Sequence, residues 1–191
     1  MSRMAVIYWS MTGNTEAMAN AIAEGAAGAG AEVDVKQVCD TTVDEALGYG
    51  LLALGCPAMG AEVLEEAEFE PFFTELEGLL GGKKVALFGS YDWGDGQWMR
   101  DWAQRADSAG ANVYQDEGLI LHLTPDEEGL EQCRTFGAGF ANVPLWGGIF
   151  LVLFLEWGLS AMWFGLHVAL RRDTRSLNRK LSEYQKRGPE S

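Results

Sequence analysis

Three short stretches carry the side chains best suited to gripping a ligand: Ser10-Met11-Thr12-Gly13-Asn14-Thr15, Cys56-Pro57-Ala58-Met59-Gly60-Ala61-Glu62 and Gly89-Ser90-Tyr91-Asp92-Trp93-Gly94-Asp95-Gly96. The first offers three hydroxyls, one glycine and one amide. Where a strand turns into a helix, such residues give a phosphate neutral donors: side-chain O–H groups, backbone N–H groups and the positive helix end. A Walker loop would need G-x-x-x-x-G-K-[ST], and no lysine lies between Arg3 and Lys36, which disfavours nucleoside triphosphate hydrolysis. By itself the loop is equally well read as a Ser/Thr-rich helix cap. The other two stretches each place one large flat or polarizable side chain beside glycines. Met59 and Trp93 suit opposite faces of a planar heteroaromatic ring, because sulfur and indole both pack well on π surfaces. Either residue alone would be read as core; beside a phosphate loop, the pair points to a ring site.

The elements that must hold these loops follow from apolar periodicity. Residues 4–9, 32–38, 51–56, 85–89 and 119–123 read as strands, and 15–29, 69–80, 97–109 and 125–141 as helices. This alternation predicts an α/β domain with a five-stranded parallel sheet and helices on both faces. Its ligand belongs outside the carboxyl ends of the strands where strand order reverses, at the loops after strands one, three and four. The chain has 28 acidic and 14 basic side chains, a net charge of −14, which argues against a nucleic-acid partner because a phosphate backbone is bound through clustered Lys and Arg. Three cysteines, Cys39, Cys56 and Cys133, form neither an even set nor a C-x-x-C pair, so neither a disulfide framework nor a zinc site is expected. His122 and Cys56 read as structural residues, not as parts of a nucleophilic centre. The start lacks a long apolar run of the secretory kind, and the first domain is expected in the cytoplasm.

The residues of these loops and their flanks resemble those of the short-chain flavodoxins of anaerobic bacteria, over residues 4–142. The likeness is carried by Val6-Ile7-Tyr8-Trp9-Ser10, Thr12-Gly13-Asn14-Thr15-Glu16, Ala58-Met59-Gly60, Glu62-Val63-Leu64-Glu65-Glu66, Gly82-Lys83-Lys84-Val85-Ala86-Leu87-Phe88-Gly89-Ser90-Tyr91, Trp93-Gly94-Asp95-Gly96 and Trp98-Met99-Arg100-Asp101. It implies a flavodoxin-like doubly wound fold with strand order 2-1-3-4-5 and non-covalent FMN. It also implies a low-potential one-electron carrier serving redox partner proteins, not an enzyme with its own substrate. The implied cofactor-binding set is Ser10, Met11, Thr12, Gly13, Asn14, Thr15, Ala58, Met59, Gly60, Ala61, Glu62, Ser90, Tyr91, Asp92, Trp93 and Gly94. Within it, Ser10, Thr12, Asn14 and Thr15 meet the phosphate, Met59 the inner ring face and Trp93 the outer. The Gly60 carbonyl turns toward flavin N5 in the one-electron-reduced state, and Glu62 accepts from N3. Two positions depart from the family pattern: Asp92 stands where glycine is usual, and Ala61 where an acidic residue is usual. Aspartate tolerates left-handed backbone better than most residues, so Asp92 is compatible with the loop.

Near Pro144 the composition changes. Residues 1–142 carry seven basic and 24 acidic side chains, a balance of −17, whereas residues 143–191 carry seven and four. Residues 145–170 form a 26-residue apolar stretch whose ionisable side chains are Glu156 and His167. As a helix it would extend roughly 39 Å, against a bilayer core of ~30 Å. Three segments are therefore expected: a domain over 1–142, a membrane helix over 143–170, and a basic amphipathic tail over 171–191. Glu156 near the middle and small residues spaced by four imply a membrane-protein partner. Seven basic residues between Arg171 and Arg187 suit an anionic membrane surface or an acidic partner. The positive-inside tendency keeps the tail cytoplasmic, on the same side as the domain, which one spanning helix cannot satisfy. Either the tail crosses despite its charge, or the segment is re-entrant or buried in a partner complex, or the chain is an engineered chimera, in which the first domain is a soluble module fused to a foreign membrane peptide acting through residues 145–187.

Overall fold

In the computed structural model, residues 2–143 are described. The elements in order are β1 (Arg3–Tyr8), α1 (Asn14–Gly28), β2 (Glu32–Gln37), a 3-10 turn (Val38–Asp40), α2 (Val43–Leu47), β3 (Leu51–Gly55), α3 (Phe69–Glu77), β4 (Lys84–Tyr91), α4 (Gln97–Ser108), β5 (Asn112–Val113), β6 (Leu119–His122) and α5 (Glu127–Ala141). The sheet runs β2-β1-β3-β4 and then continues through β5 and β6, and every strand pairing within it is parallel. This is the expected 2-1-3-4-5 order, with the fifth strand divided.

Alternation along the central strands builds two cores. Ala5 and Ile7 of β1, Leu52 and Leu54 of β3, and Val85 and Leu87 of β4 face α3 and α4, where Phe69, Phe73 and Trp102 pack edge to face. Met4 and Val6, Leu51 and Ala53, and Ala86 and Phe88 face the other way, against Met18 and Ile22 of α1 and Phe136 and Phe140 of α5. Because both faces are covered, β1 and β3 read as near-continuous apolar runs. On the second face α1 and α5 touch backbone to backbone. A Cβ on Gly25 would sit 1.9 Å from the Arg134 carbonyl oxygen, and one on Gly137 would sit 2.0 Å from that of Ile22.

Three boundaries correct the sequence expectation. The single fifth strand over 119–123 is instead two pieces, β5 pairing Lys84–Val85 and β6 pairing Phe88–Tyr91. Between them Gln115, Asp116 and Gly118 have φ of 60°, 63° and 77°, a left-handed path that leaves the ladder. A short helix, α2, was not expected; Thr42 starts it by accepting from the Glu45 N–H at 3.3 Å. Helix α3 ends at Glu77, before Leu80. Among the described residues no helix is long and apolar enough to cross a membrane. The expected membrane helix and basic tail lie outside the described residues.

Candidate functional site

At the carboxyl ends of the strands, a cavity of about 460 Å³ opens between the loops that follow β1, β3, β4 and β6. Hollows of similar size lie beside Val38–Asp44 and beside Tyr114, so position, not volume, singles this one out. It straddles the point where strand order reverses between β1 and β3, the place an open α/β sheet offers a ligand.

Ser10, Met11, Thr12, Asn14 and Thr15 line one end. The loop is folded by its own chemistry: the Gly13 N–H donates to Ser10 Oγ at 3.1 Å, and Gly13 adopts φ 88°. With glycine as the residue before α1, no side chain caps the helix, and the amides of its first turn face the loop uncapped. Thr15 and Ser90, both buried, share a hydrogen bond of 3.2 Å between their hydroxyls, joining the first turn of α1 to the end of β4, which extends past the expected strand to include Ser90 and Tyr91. Among the described residues no lining side chain is cationic, and Asp92 is the one charged member. The described lining offers an anionic group hydroxyl and amide dipoles and no ion-pair partner.

Ala58 and Met59 line the next wall, with Tyr91 and Asp92 across from them. The Ala58 N–H donates to the Ser90 carbonyl at 3.0 Å, so this wall too is fastened to β4. Met59 and Val63 exchange two backbone hydrogen bonds, 2.9 and 3.0 Å, closing a three-residue tip of Gly60, Ala61 and Glu62. Gly60 and Glu62 sit at φ 47° and 55°. Met11, Trp93 and Leu123 stand at 72, 60 and 46% exposure. Large apolar side chains left in water close to a cavity with apolar walls suit a flat aromatic ligand that would cover them. Phosphate loop and ring slot together fit FMN.

Gly13, Gly60, Ala61, Glu62, Trp93 and Gly94 do not line the cavity themselves. Glu62 has a different set of partners from the one the resemblance implies: its Oε1 accepts from the Gly96 and Gln97 N–H groups at 3.0 and 2.9 Å. Asp92 is not among the residues with positive φ, so its loop makes no demand for glycine there. Trp9, Pro57, Leu123 and Thr124 join the lining without having been expected. The rule that selected the other loops would have found Leu123 and Thr124, which directly follow the last parallel strand. His122 packs its ring on Tyr91, 5.1 Å between centroids, with Nε2 2.9 Å from the Asp92 carbonyl, and so ties the β6 end to the Trp93 loop. Cys56 is buried beneath the β3 loop, its Sγ accepting from the Glu65 N–H at 3.3 Å, and burial pushes its thiol far above the ordinary range. It stays a thiol, unfit for nucleophilic work.

The flavodoxin family model matches residues 6–137. A flavodoxin of Clostridium beijerinckii is 50% identical over 140 residues, 73% of this chain and 100% of that one. A flavodoxin of Megasphaera elsdenii is 47% identical over 137 residues, 72% of this chain and 97% of that one. The solution structure of the two-electron reduced Megasphaera elsdenii flavodoxin superposes with a TM-score of 0.66 at 44% identity, covering 73% of this chain and 99% of that one. The chain belongs to the flavodoxin family, FMN-carrying electron-transfer proteins and not substrate-converting enzymes.

Proposed function

We propose that this chain is a low-potential one-electron carrier that binds FMN non-covalently in the cavity at the strand ends, with Ser10, Thr12, Asn14 and Thr15 at the phosphate and Met59 and Trp93 on the two ring faces. The observation that carries the reading is the meeting of an uncapped helix start with an apolar slot at the strand-order reversal. When bound, FMN supplies the electron chemistry. The chain's own residues hold the phosphate, exclude water from one ring face through Met59, and set the charge environment. With Asp92 as the one charged side chain in the lining among the described residues, and no described cation in that lining, added negative charge in the cavity is opposed, which lowers the potential at which a second electron enters. Redox partner proteins approach the rim, where Met11, Trp93 and Leu123 are exposed. A spectroelectrochemical titration tests this: two separated one-electron steps, the second well below that of free FMN, are expected. A single two-electron wave at the free-FMN potential would reject it.

The apolar residues 145–170 and the basic residues that follow favour a tether, holding the domain, residues 1–142, at the cytoplasmic face of a membrane or a membrane protein. One uninterrupted natural reading frame for the whole chain would dispose of the chimera alternative.

A further inference from the structure

We infer that Glu62 is a latch between the two walls of the cavity, capping α4 from the neighbouring β3 loop and so fixing where Trp93 stands relative to Met59. The inference rests on the reading of this cavity as the flavin site.

Helix α4 cannot cap itself. The residue before it, Gly96, has φ 88° and no side chain, leaving the first amides without a local acceptor. Glu62 supplies one from 34 and 35 residues away, its Oε1 receiving both Gly96 and Gln97 N–H groups. A carboxylate is also the right charge for a helix amino end.

The backbone shows that this contact is built in. Glu62 is one of four non-glycine residues with positive φ among those described, a conformation that persists only where the surroundings over-determine it. Here the Met59–Val63 hydrogen-bonded pair closes the tip from below, and α4 holds the side chain from above. The opposing loop is shaped to receive it. A Cβ on Gly94, at φ 94°, would lie 2.4 Å from Glu62 Cδ, so the residue after Trp93 presses its bare backbone against the carboxylate. The other end of the same loop is held by the Leu123 N–H on the Tyr91 carbonyl at 2.8 Å. Trp93 therefore hangs between two fixed points, and one of them is Glu62.

Amide hydrogen exchange in the full chain tests the latch, with and without FMN. Rates at Gly96 and Gln97 are read as ratios to those at Ile7 and Leu54 in the same sample, which removes any global change in stability. In Glu62→Ala the ratio should rise at least tenfold. Glu62→Gln, which keeps an acceptor, should recover most of the protection, and Gly94→Ala, which crowds the carboxylate, should reproduce the loss with Glu62 intact. Unchanged ratios in both Glu62→Ala and Gly94→Ala would overturn the proposal. That failure would leave FMN binding untouched, whereas a failure of the flavin assignment would show as equal affinity for FMN and riboflavin with the latch in place.

Discussion

Gly60 occupies φ 47°, and among the described residues nothing lies within 4 Å of where a Cβ would be, so the penalty these residues impose on a side chain there is conformational, not steric crowding. Glycine crosses positive φ freely and a β-branched residue does not. Gly60→Val should therefore fold normally yet reduce the share of protein held after one electron in a dithionite titration followed by absorbance. A share equal to that of the parent protein would remove Gly60 from control of the redox steps. Thr12 is a simpler case: it loses one hydroxyl in Thr12→Ala. A hydrogen bond to a charged group is worth ~1.5–3 kcal/mol, so FMN should bind roughly ten- to a hundredfold more weakly by fluorescence quenching, with riboflavin unaffected. These residues were legible because each carries its chemistry in its type and lies in the loop that follows a parallel strand. Leu123 and Thr124 carry no such signature in their types, and only their place directly after the last parallel strand marks them.

Caps and close approaches govern the helices. Glu65, nearly fully buried, accepts from the N–H groups of Ala67, Glu68 and Phe69, each at 2.9 Å, and thereby starts α3. Burial pushes its carboxyl up, but the three amides outweigh that and hold it below its ordinary value of 4.5. The folded value lies under the unfolded one, so the stabilisation is complete above the ordinary carboxylate range and is lost as pH falls through the folded value. Glu65→Gln should cost about 1–2 kcal/mol at pH 7 by urea denaturation, and the gap should narrow as pH falls through and below the ordinary carboxylate range. On the other face, Gly137→Ala drives a methyl into the Ile22 carbonyl and should cost roughly 1–3 kcal/mol, by the same denaturation measurement. Sequence periodicity located every long element, because apolar spacing survives tertiary packing. It missed the five-residue α2, too short to show a period, and the break between β5 and β6, which is set by backbone angles at Gln115, Asp116 and Gly118 and not by side-chain pattern.

The molecule joins an acidic domain to a chain end of opposite balance, −17 over residues 1–142 against +3 beyond. If the apolar residues 145–170 embed, the full chain should stay with membranes through a carbonate wash, and a version ending at Asn142 should not; release of both would sink the tether. The order of the sheet was legible because βα alternation and the reversal rule leave few topologies, and the cavity followed from that order. How the cavity's walls are tied together was not, since the Glu62 contact spans 34 residues and depends on a glycine cap. The loops at the carboxyl ends of β1, β3, β4 and β6 are held to form one site for a phosphate and a ring, and binding of FMN against riboflavin tests this most directly. Titration of the flavin-free full chain should yield one FMN per chain with quenched fluorescence, and riboflavin, which has the ring without the phosphate, should bind at least tenfold more weakly. Equal affinity for the two would contradict the account, because the loop from Ser10 to Thr15 would then contribute nothing to the site it is said to build.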